Sequence, residues 1–552
     1  MSQSLFERHK DTLDRAVNAS RTREYWTAYP ESPSPRVYGE EANKDGEAAF
    51  KAYLNKNFEI DQPGTIGTAG SEKSPYGFDL GITYPKVDVA VLVTEVEALR
   101  QGWAKASIEQ RAGICLEILH RINKRSFEMA FAVMHTTGQA FMMAFQAGGP
   151  HAQDRGLEAV VYAYEDMVRT PAVARWEKPQ GKRDPIVMEK HFTVVPRGIG
   201  LVIGCSTFPT WNSYPGLFAS LVTGNAVIVK PHPGGILPLA ITVEICRDVL
   251  KEEGFNPNIV TLAVDSADAP LAKDLALRPE VKLIDFTGST GFGNWLEDNA
   301  RQALVYTEKA GVNCVIIDST DNFRGMIGNL SFTLSLYSGQ MCTTPQNIFI
   351  PEGGIETEDG HKSFDEVVAA LATGVEKLNG DDARACAILG AIQSEATLAR
   401  LEKYGAGDNV VLASRSVPME GFENATIRTP LILKATDESS YAAELFGPIS
   451  YVVASKNTAD SLEIVENSVK NNGAISFGIY STSEDILDSA EDVACRSGVA
   501  VSFNLTGGVY VNQTAAFSDF HATGCNPAAN AALSDTAYVS NRYRVVQSRK
   551  HI

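Results

Sequence analysis

The chain has 552 residues, 44% of them hydrophobic, so it can bury a full core over about three or four units of roughly 100 to 200 residues each. A formal net charge of -18 argues against a nucleic-acid-binding surface. No stretch reaches the roughly 18 uninterrupted apolar residues of a membrane span, and the N-terminus lacks the basic flank and apolar core of a signal peptide. We therefore expect a cytoplasmic protein that binds neither nucleic acid nor a membrane.

The cysteines of the chain are scattered without Cys-x-x-Cys spacing. They are Cys115, Cys205, Cys246, Cys314, Cys342, Cys386, Cys495 and Cys525. This distribution fits reduced thiols better than a disulfide framework or a zinc site. The sequence therefore predicts no metal.

The N-terminal 90 residues contain a short helical start, followed by stretches rich in Pro, Gly and Ser around 30–39 and 64–77. Such composition predicts irregular chain that wraps the surface, and we assign it no chemistry. From about Ala104 the pattern becomes helical, and a second helix is expected over 154–168. Both helices are interpreted as packing elements.

From residue 187 onwards, short apolar runs alternate with helical stretches, which predicts a parallel α/β sheet. The apolar runs are 198–204, 226–229, 259–264 and 281–286, with a helix over 237–253. A second series of elements covers 314–318, 348–350 and a helix near 364–378. The sequence thus predicts two α/β units that meet near residue 312.

Two short stretches beside this boundary carry a carboxylate and a thiol. They are Thr307-Glu308-Lys309-Ala310-Gly311 and Ser338-Gly339-Gln340-Met341-Cys342. A cysteine attacks a carbonyl carbon as its thiolate, and a nearby glutamate can activate a water in a later step. Taken alone, such a cysteine is more often an inert core residue, and such a glutamate a surface carboxylate. Gly339 would allow close backbone approach, and the backbone N–H of Cys342 could donate to an oxyanion.

Two further motifs follow predicted strands, at the edge where open α/β sheets bind ligands. The turn over 285–293 could bring backbone N–H groups near a pyrophosphate at a helix N-terminus, although its spacing is not Gly-x-Gly-x-x-Gly. Lys230 ends its strand and could hold a ribose or a phosphate. A simple turn and a solvated lysine remain alternative interpretations of these motifs.

The order of these motifs resembles the aldehyde dehydrogenase superfamily over roughly residues 100 to 550. The matching motifs are Lys230-Pro231, Phe286-Thr287-Gly288-Ser289-Thr290, Glu308, the Gly-Gln-x-Cys stretch that ends at Cys342, and Glu444-Leu445-Phe446-Gly447-Pro448. Within the superfamily, the stretch 307–314 and the run 521–530 look like the phenylacetate-degradation protein PaaN group.

The resemblance implies an α/β fold of the aldehyde dehydrogenase type, with two Rossmann-like domains and a small β oligomerisation arm. An N-terminal wrap and NAD(P)-binding domain would span 1–311, a catalytic domain 312–530, and a C-terminal oligomerisation strand 531–552. Residues 186–197 would belong to the arm, although the polar run Glu189-Lys190-His191 weakens the strand pattern there. A homodimer or homotetramer follows from the resemblance.

By the same resemblance, Cys342 is the nucleophile that forms a thiohemiacetal with an aldehyde. Loss of hydride to a nicotinamide would leave a thioester, and Glu308 would activate the water that hydrolyses it. A free carboxylic acid is the expected product. Acyl transfer to coenzyme A is the alternative, although relatives that perform it commonly lack this glutamate.

The resemblance also assigns the cofactor contacts. The residues concerned are Lys230 at the adenosine ribose, Gly288, Ser289 and Gly293 near the pyrophosphate, and Glu444 and Phe446 at the nicotinamide ribose and ring. Many NAD-preferring relatives carry a glutamate where this chain has Pro233, and His232 could donate a hydrogen bond to a 2′-phosphate. These two positions favour NADP over NAD.

One position departs from the family pattern. Relatives place an oxyanion-holding asparagine at a set distance before the lysine, and here that position is Thr207, while Asn212 lies out of register. Losing an oxyanion donor costs a factor of about 10² to 10³ in rate. A catalytically weak, cofactor-binding partner protein is therefore the competing hypothesis.

The preferred hypothesis is an NAD(P)-dependent dehydrogenase that oxidises a small-molecule aldehyde. The resemblance points to a semialdehyde from phenylacetate breakdown, in free form or as its coenzyme A thioester. Fused relatives carry a hydratase domain as well. Because this chain ends at Ile552, soon after the dehydrogenase-like region, we expect dehydrogenase activity only.

Overall fold

The computed structural model of the chain describes residues 4–309 and 311–552. Ala310, within the predicted Glu308 motif, lies outside the described residues. The N-terminal part is mainly helical. Its elements are α1 (Leu5–Thr22), α2 (Pro35–Tyr38), α3 (Ala42–Tyr53), β1 (Thr65–Ala69), β2 (Lys73–Ser74), β3 (Phe78–Asp79), β4 (Tyr84–Val87), α4 (Val89–Ala104), α5 (Ile108–Lys124), α6 (Ser126–Thr137), α7 (Phe141–Gly148) and α8 (Pro150–Val168).

The N-terminal region is more regular than the sequence predicted. Ser4 caps α1, whose apolar stripe buries Leu13 and Ala16 against α5 and α8. Strands β1 and β4 pair antiparallel inside the stretch expected to be irregular. The predicted helical start is confirmed as α1, but the expectation of irregular chain over 64–77 was wrong, because pairing of β1 with β4 and of β2 with β3 makes part of that stretch regular.

A five-stranded parallel sheet, called here the first sheet, follows the helical region. Its elements, with the hairpin that precedes them, are β5 (Val173–Gln180), β6 (Arg183–Pro196), β7 (Ile199–Ile203), α9 (Pro209–Val222), β8 (Ala226–Lys230), α10 (Leu237–Glu252), β9 (Val260–Leu262), α11 (Ala272–Ala276), β10 (Val281–Thr287), α12 (Thr290–Asn299) and β11 (Leu304–Glu308). The strand order is β11-β10-β7-β8-β9. The central strands β7 and β8 are buried at every residue and rich in Val, Ile and Leu, as expected for a parallel sheet covered by helices on both faces.

A seven-stranded sheet, called here the second sheet, forms the other half of the molecule. Its region contains β12 (Cys314–Ile317), β13 (Ser319–Thr320), α13 (Phe323–Ser335), β14 (Asn347–Pro351), β15 (Ile355–Thr357), β16 (Gly360–Lys362), α14 (Phe364–Leu378), α15 (Asp382–Leu389), α16 (Glu395–Gly405), β17 (Val410–Leu412), β18 (Leu431–Lys434), α17 (Glu438–Tyr441), β19 (Ile449–Ser455), α18 (Thr458–Asn472), β20 (Ser476–Tyr480), α19 (Glu484–Ser497) and β21 (Ala500–Phe503). The strand order is β17-β18-β19-β14-β12-β20-β21, and only β17 runs antiparallel to its neighbour.

The predicted strands and the helix over 364–378 are confirmed. The chain leaves the first sheet at Glu308 and enters the second at Cys314, so the predicted division at residue 312 falls between them. The remaining elements are α20 (Thr536–Ser540) and β22 (Tyr543–His551).

The predicted arm is a three-stranded antiparallel sheet in the order β22-β6-β5. The two segments expected to pair between subunits, β6 and β22, pair with each other in the same chain. Strand β5 had not been predicted. The polar run in β6 lies opposite Ser548, Arg549 and Lys550 of β22. The oligomeric state stays a prediction.

In the described residues, no helix combines the length and the apolar character that crossing a membrane requires.

Candidate active site

Cys342 follows a tight turn between α13 and β14. Tyr337, Ser338 and Gly339 have φ angles of 51°, 50° and 64°, all in the left-handed region. A Cβ on Gly339 would lie 2.5 Å from the carbonyl oxygen of Gly447, so this position requires glycine. The close backbone approach expected at Gly339 is therefore present, and it packs the cysteine loop against the 444–448 motif.

Hydrogen bonds hold this turn in its conformation. The Tyr337 hydroxyl donates to the carbonyl of Thr137 at 2.6 Å, and the Ser338 hydroxyl donates to the carbonyl of Arg428 at 3.0 Å. The Asn313 amide donates to the carbonyl of Cys342 at 2.8 Å. Because these partners come from separate elements, they can support a conformation that non-glycine residues rarely adopt.

Glu308 is the last residue of β11, and the C-terminal run 521–530 lies beside it. Glu308 pairs with Ala529 in an isolated antiparallel bridge, and the Asn530 side chain accepts a hydrogen bond from the Thr307 backbone N–H at 2.8 Å. These contacts bring the beginning of the run, His521, to the end of the strand.

Three reactive side chains meet at this point. The His521 Nε2 lies 3.7 Å from the Cys342 Sγ and 3.2 Å from the Glu308 Oε1. The Cys342 sulfur, a carboxylate oxygen of Glu308 and a ring nitrogen of His521 all lie within 4.8 Å of one another. The structure therefore brings the predicted thiol and carboxylate together, and adds a histidine between them.

Burial and neighbouring charge set the protonation of these groups. Burial, followed by the negative charge of Glu308, raises the pKa of the Cys342 thiol well above its usual value. Burial also acts to raise the pKa of Glu308, but the positive charge and hydrogen bond of His521 outweigh it and leave this pKa lowered. The resting site thus combines a protonated thiol with an ionised carboxylate at neutral pH.

The amide beside Glu308 belongs to Asn212, which the sequence comparison had set aside as out of register. Its Nδ2 donates to the Glu308 Oε1 at 3.3 Å from the first turn of α9. Thr207 lies before this helix, and its carbonyl accepts a hydrogen bond from the Gln139 amide at 2.8 Å. In the described chain, Asn212 lines the cavity at Cys342 and Thr207 does not. An oxyanion role for Thr207 stays a prediction, and Asn212 is the amide that reaches the site.

A cavity of about 510 Å³ opens from Cys342 towards the N-terminal region. Aromatic and apolar side chains form much of its wall, namely Tyr25, Trp26, Met143, Phe208, Trp211, Met341, Val509 and Tyr510. Its ionisable wall residues are Glu31, His151, Asp154, Cys342, Asp519 and His521. Among the described residues that line this cavity there is no lysine or arginine. Contrary to expectation, the N-terminal segment contributes directly to the site.

The carboxyl edge of the first sheet carries the predicted cofactor residues. Lys230 ends β8, and its Nζ lies 2.8 Å from the Oδ1 of Asp265, which follows β9. Both side chains are buried. His232 is exposed, and its Nδ1 accepts a hydrogen bond from the Gly234 backbone N–H. Desolvation and the positive charge of Lys230 lower the pKa of His232, so the ring is uncharged at neutral pH and keeps Nε2–H as a donor. The expected contact with a 2′-phosphate stays a prediction.

The turn after β10 leads into α12, which Ser289 caps. Its helix N-terminus is exposed at residues 289–291, so an anion could approach it. Packing accounts for the glycines, because a Cβ on Gly288 would lie 2.7 Å from the Phe286 ring and one on Gly293 would lie 2.5 Å from the Lys309 side chain. Ser289 thus has the accessible position, whereas the glycines let the turn pack closely.

Glu444 and Phe446 line a small depression beside Gly311 and Gly339. Burial raises the pKa of Glu444 to about 7, and a hydrogen bond from the Gly311 backbone partly offsets this effect. The Phe446 carbonyl accepts a hydrogen bond from Arg400 at 2.5 Å. Both residues therefore lie beside the cysteine loop, and their contacts with the cofactor stay a prediction.

Three residues of the site had not been singled out individually as functional from the sequence. His521 belongs to a run that only the resemblance singled out, Asp265 follows an ordinary short strand, and Trp26 lies in a stretch assigned to irregular chain. A search for acidic residues directly after predicted strands would have found Asp265, because that edge of an α/β sheet binds ligands.

Comparisons with known proteins agree with this geometry. The sequence pattern of the aldehyde dehydrogenase family matches residues 83–523. An N-succinylglutamate 5-semialdehyde dehydrogenase of Burkholderia lata is 26% identical over 389 residues, which are 68% of this chain and 73% of that protein. A putative aldehyde dehydrogenase, FUS7, of Gibberella fujikuroi is 26% identical over 434 residues, 77% of this chain and 82% of that protein.

Solved structures show the same fold. The crystal structure of an NAD-dependent aldehyde dehydrogenase from Burkholderia multivorans covers 100% of both chains at 57% identity, with a TM-score of 0.98. A 1-pyrroline-5-carboxylate dehydrogenase from Thermus covers 96% of this chain and 99% of its own at 17% identity, with a TM-score of 0.72, which supports the fold alone. With its family pattern, its two Rossmann-like sheets and its matched architecture, this chain belongs to the aldehyde dehydrogenase family.

Proposed function

We propose that this protein oxidises an uncharged aldehyde to the carboxylic acid with NAD, using Cys342 as the nucleophile and Glu308 as the base. The observation that carries the proposal is the meeting of Cys342, Glu308 and His521 at the inner end of a cavity of about 510 Å³. A buried thiol, an ionised carboxylate and room for a substrate are the parts that covalent oxidation of an aldehyde needs.

The chain's own residues account for the covalent steps. Cys342 loses its proton and its sulfur attacks the aldehyde carbon, so that the carbonyl electrons move to oxygen. The nicotinamide cofactor, when bound, supplies the hydride acceptor that lets the resulting thiohemiacetal become a thioester. Glu308 then removes a proton from the water that attacks the thioester, which releases the acid and restores the thiol. The backbone N–H of Cys342 and the Asn212 amide are the donors proposed for the oxyanion.

The negative charge of Asp265, at the sheet edge where the adenosine ribose is expected, favours NAD over NADP. The carboxylate of Asp265 lies where Lys230 would meet the adenosine ribose, and it can accept a hydrogen bond from a 2′-hydroxyl but repels a 2′-phosphate. The neutral His232 offers no compensating charge. The homologous Burkholderia multivorans enzyme is named NAD-dependent, which supports the same choice.

The wall of the cavity favours a substrate without a free carboxylate near its aldehyde. The wall carries acidic residues and lacks a lysine or arginine among the described residues, so an anionic semialdehyde would enter without a partner. The curated relatives are named for N-succinylglutamate 5-semialdehyde, which carries carboxylates. The resemblance to the PaaN group adds a phenylacetate-derived semialdehyde as its coenzyme A thioester, in which the thioester replaces a free carboxylate although the coenzyme A part carries anionic phosphates.

The test is formation of NADH with matched neutral and anionic aldehydes. We expect turnover of phenylacetaldehyde and hexanal, at least about ten times lower kcat/KM for succinic semialdehyde, and loss of turnover in Cys342→Ser. Cys495→Ser is the control, because Cys495 is exposed and remote from the site. Activity that survives in Cys342→Ser would refute the mechanism. A strict requirement for free coenzyme A would assign acyl transfer instead.

Cofactor choice is tested separately with Asp265→Asn. We expect wild type to prefer NAD and the variant to gain at least about tenfold in kcat/KM for NADP relative to NAD, because a repelling charge is removed. Asp268→Asn is the matched control, since Asp268 is exposed on the same loop. An unchanged ratio in Asp265→Asn would exclude this carboxylate as the determinant.

A further inference from the structure

We propose that His521 is a third catalytic residue, which donates a hydrogen bond from Nε2 to the sulfur of Cys342 and stabilises its thiolate. The role goes beyond the thiol and carboxylate of the proposed function, although it rests on Cys342 being the nucleophile. Its basis is that one ring nitrogen lies within contact distance of both reactive groups.

The position of His521 is well determined by its surroundings. Its side chain is 5% exposed, and its ring meets Trp211 edge to face at 4.5 Å between centroids. Arg155 in turn lies over the ring of Trp211, 4.6 Å from its centroid. Since the imidazole is confined between the indole and the reactive groups, its Nε2 is directed at Glu308 and Cys342.

The hydrogen-bond partners of His521 place a proton on Nε2. The buried Nδ1 has no hydrogen-bond partner among the described residues, whereas Nε2 has the carboxylate of Glu308 and the sulfur of Cys342. Because a carboxylate and a sulfur both accept hydrogen bonds, the ring nitrogen between them carries the proton. In the resting site His521 is therefore a donor.

The His521 N–H offsets the repulsion between the Cys342 thiolate and the Glu308 carboxylate. A thiolate at Cys342 would form next to the carboxylate of Glu308, and that charge opposes ionisation. When the thiol proton passes to the Glu308 carboxylate, Glu308 becomes neutral and the sulfur becomes the better acceptor for the His521 N–H. The S–H bond breaks, an O–H bond forms on Glu308, and the His521 proton stays on Nε2. The sulfur then attacks with its electron pair.

The experiment measures alkylation of Cys342 by iodoacetamide against pH, with the modified peptide quantified by mass spectrometry. This readout needs neither aldehyde nor cofactor, so it can fail or succeed independently of the proposed function. The variants are His521→Gln, whose amide N–H reaches about the position of Nε2, and His521→Asn, whose shorter amide does not. His361→Gln is the control, because His361 lies exposed in β16.

We expect His521→Gln to keep at least about a third of the wild-type alkylation rate at pH 7.5, and His521→Asn to lose about tenfold or more. In His521→Asn the inflection of the rate profile should move up by about one pH unit, which is the same tenfold loss of thiolate. Wild-type reactivity in His521→Asn would overturn the proposal. Equal losses of alkylation rate in His521→Gln and His521→Asn would also overturn it. That result would mean that the side chain at position 521 must accept the thiol proton, which neither amide can do.

Discussion

Two carboxyl groups near Cys342, Glu308 beside its thiol and Asp154 in the wall of its cavity, have opposite shifts in pKa. Glu308 keeps a lowered pKa despite its burial, because His521 lies 3.2 Å away. Burial raises the pKa of Asp154 to about 7, and hydrogen bonds from Thr27 and the Ala28 backbone only partly offset this effect. The nearby carboxylates of Glu158 and Glu31 raise it further.

The difference shows that a cationic partner, more than depth of burial, decides which of the two carboxyl groups can act as a base. Glu308 is ionised at neutral pH and lies next to the thiol. Asp154 holds its proton over most of the acidic range and connects α8 to the segment 27–28. An ionised carboxylate thus lies beside the reactive thiol, whereas Asp154 in the cavity wall holds the N-terminal segment through Thr27 and Ala28.

Among substitutions of Glu308, Asp154 and Trp26, replacing the ionised carboxylate of Glu308 by a neutral amide should reduce turnover the most. Glu308→Gln should lower steady-state turnover by a factor of about 10² to 10⁴, because a positioned general base is lost at the hydrolytic step. The thioester should still form if a second group can take the thiol proton, which rapid-quench detection of acylated Cys342 would reveal. Turnover within threefold of wild type would contradict the assignment. Asp154→Asn, in the cavity wall, should keep turnover within about threefold.

The second prediction concerns the pH dependence of stability that the raised pKa of Asp154 causes. The folded protein holds the Asp154 proton up to about pH 7, whereas the unfolded chain releases it near the ordinary value of 3.8. Unfolding therefore releases a proton between these values, and this carboxyl makes the free energy of unfolding fall as pH rises through the window. Over the whole window the contribution is about 4 kcal/mol.

Asp154→Asn should remove that dependence. Urea unfolding at pH 5 and pH 8 should show that the variant loses less stability than wild type as the pH rises. Glu165→Gln on the same helix is the control, because Glu165 pairs with Arg21 near the surface. An identical pH dependence in Asp154→Asn and wild type would mean that Asp154 is ionised in the folded protein at pH 5.

The weakest effect is expected from Trp26, an aromatic residue of the cavity wall. Trp26 lines the cavity and packs edge to face on Phe517 at 5.3 Å between ring centroids. Trp26→Ala should raise KM for phenylacetaldehyde about three- to tenfold and leave kcat within about twofold, because it removes apolar contact without touching the reacting atoms. Trp176→Ala, in the arm strand β5, is the control. A fall in kcat with unchanged KM would mean that Trp26 orders the catalytic residues instead.

Much of the fold and part of the site were predictable from the sequence. The parallel strands could be recognised because each is a short apolar run between helical stretches, and the helix α14 was placed at its observed bounds. Glu308 and Cys342 could be found because each lies in a compact local motif. In the N-terminal region, the helical start, the helical pattern from about Ala104 and the helix over 154–168 were predicted, whereas α2, α3 and the strands β1 to β4 were not.

The partners that set the chemistry could not be predicted in the same way. His521 is separated from Cys342 by 179 positions and from Glu308 by 213, so no local pattern connects them. Asp265 meets Lys230 only because β8 and β9 lie side by side. Asn212 was set aside by counting along the chain, whereas the first turn of α9 directs it towards Glu308.

By itself, the sequence determined the alternation of strands and helices and the order of the motifs, because both depend on spacing between near neighbours. It also determined that a thiol and a carboxylate lie on either side of one boundary. The packing of distant segments sets the opposite pKa shifts of Glu308 and Asp154, places Asp265 beside Lys230, and brings the N-terminal segment into the cavity wall. These properties depend on burial and on contacts between distant residues, and packing alone determines both.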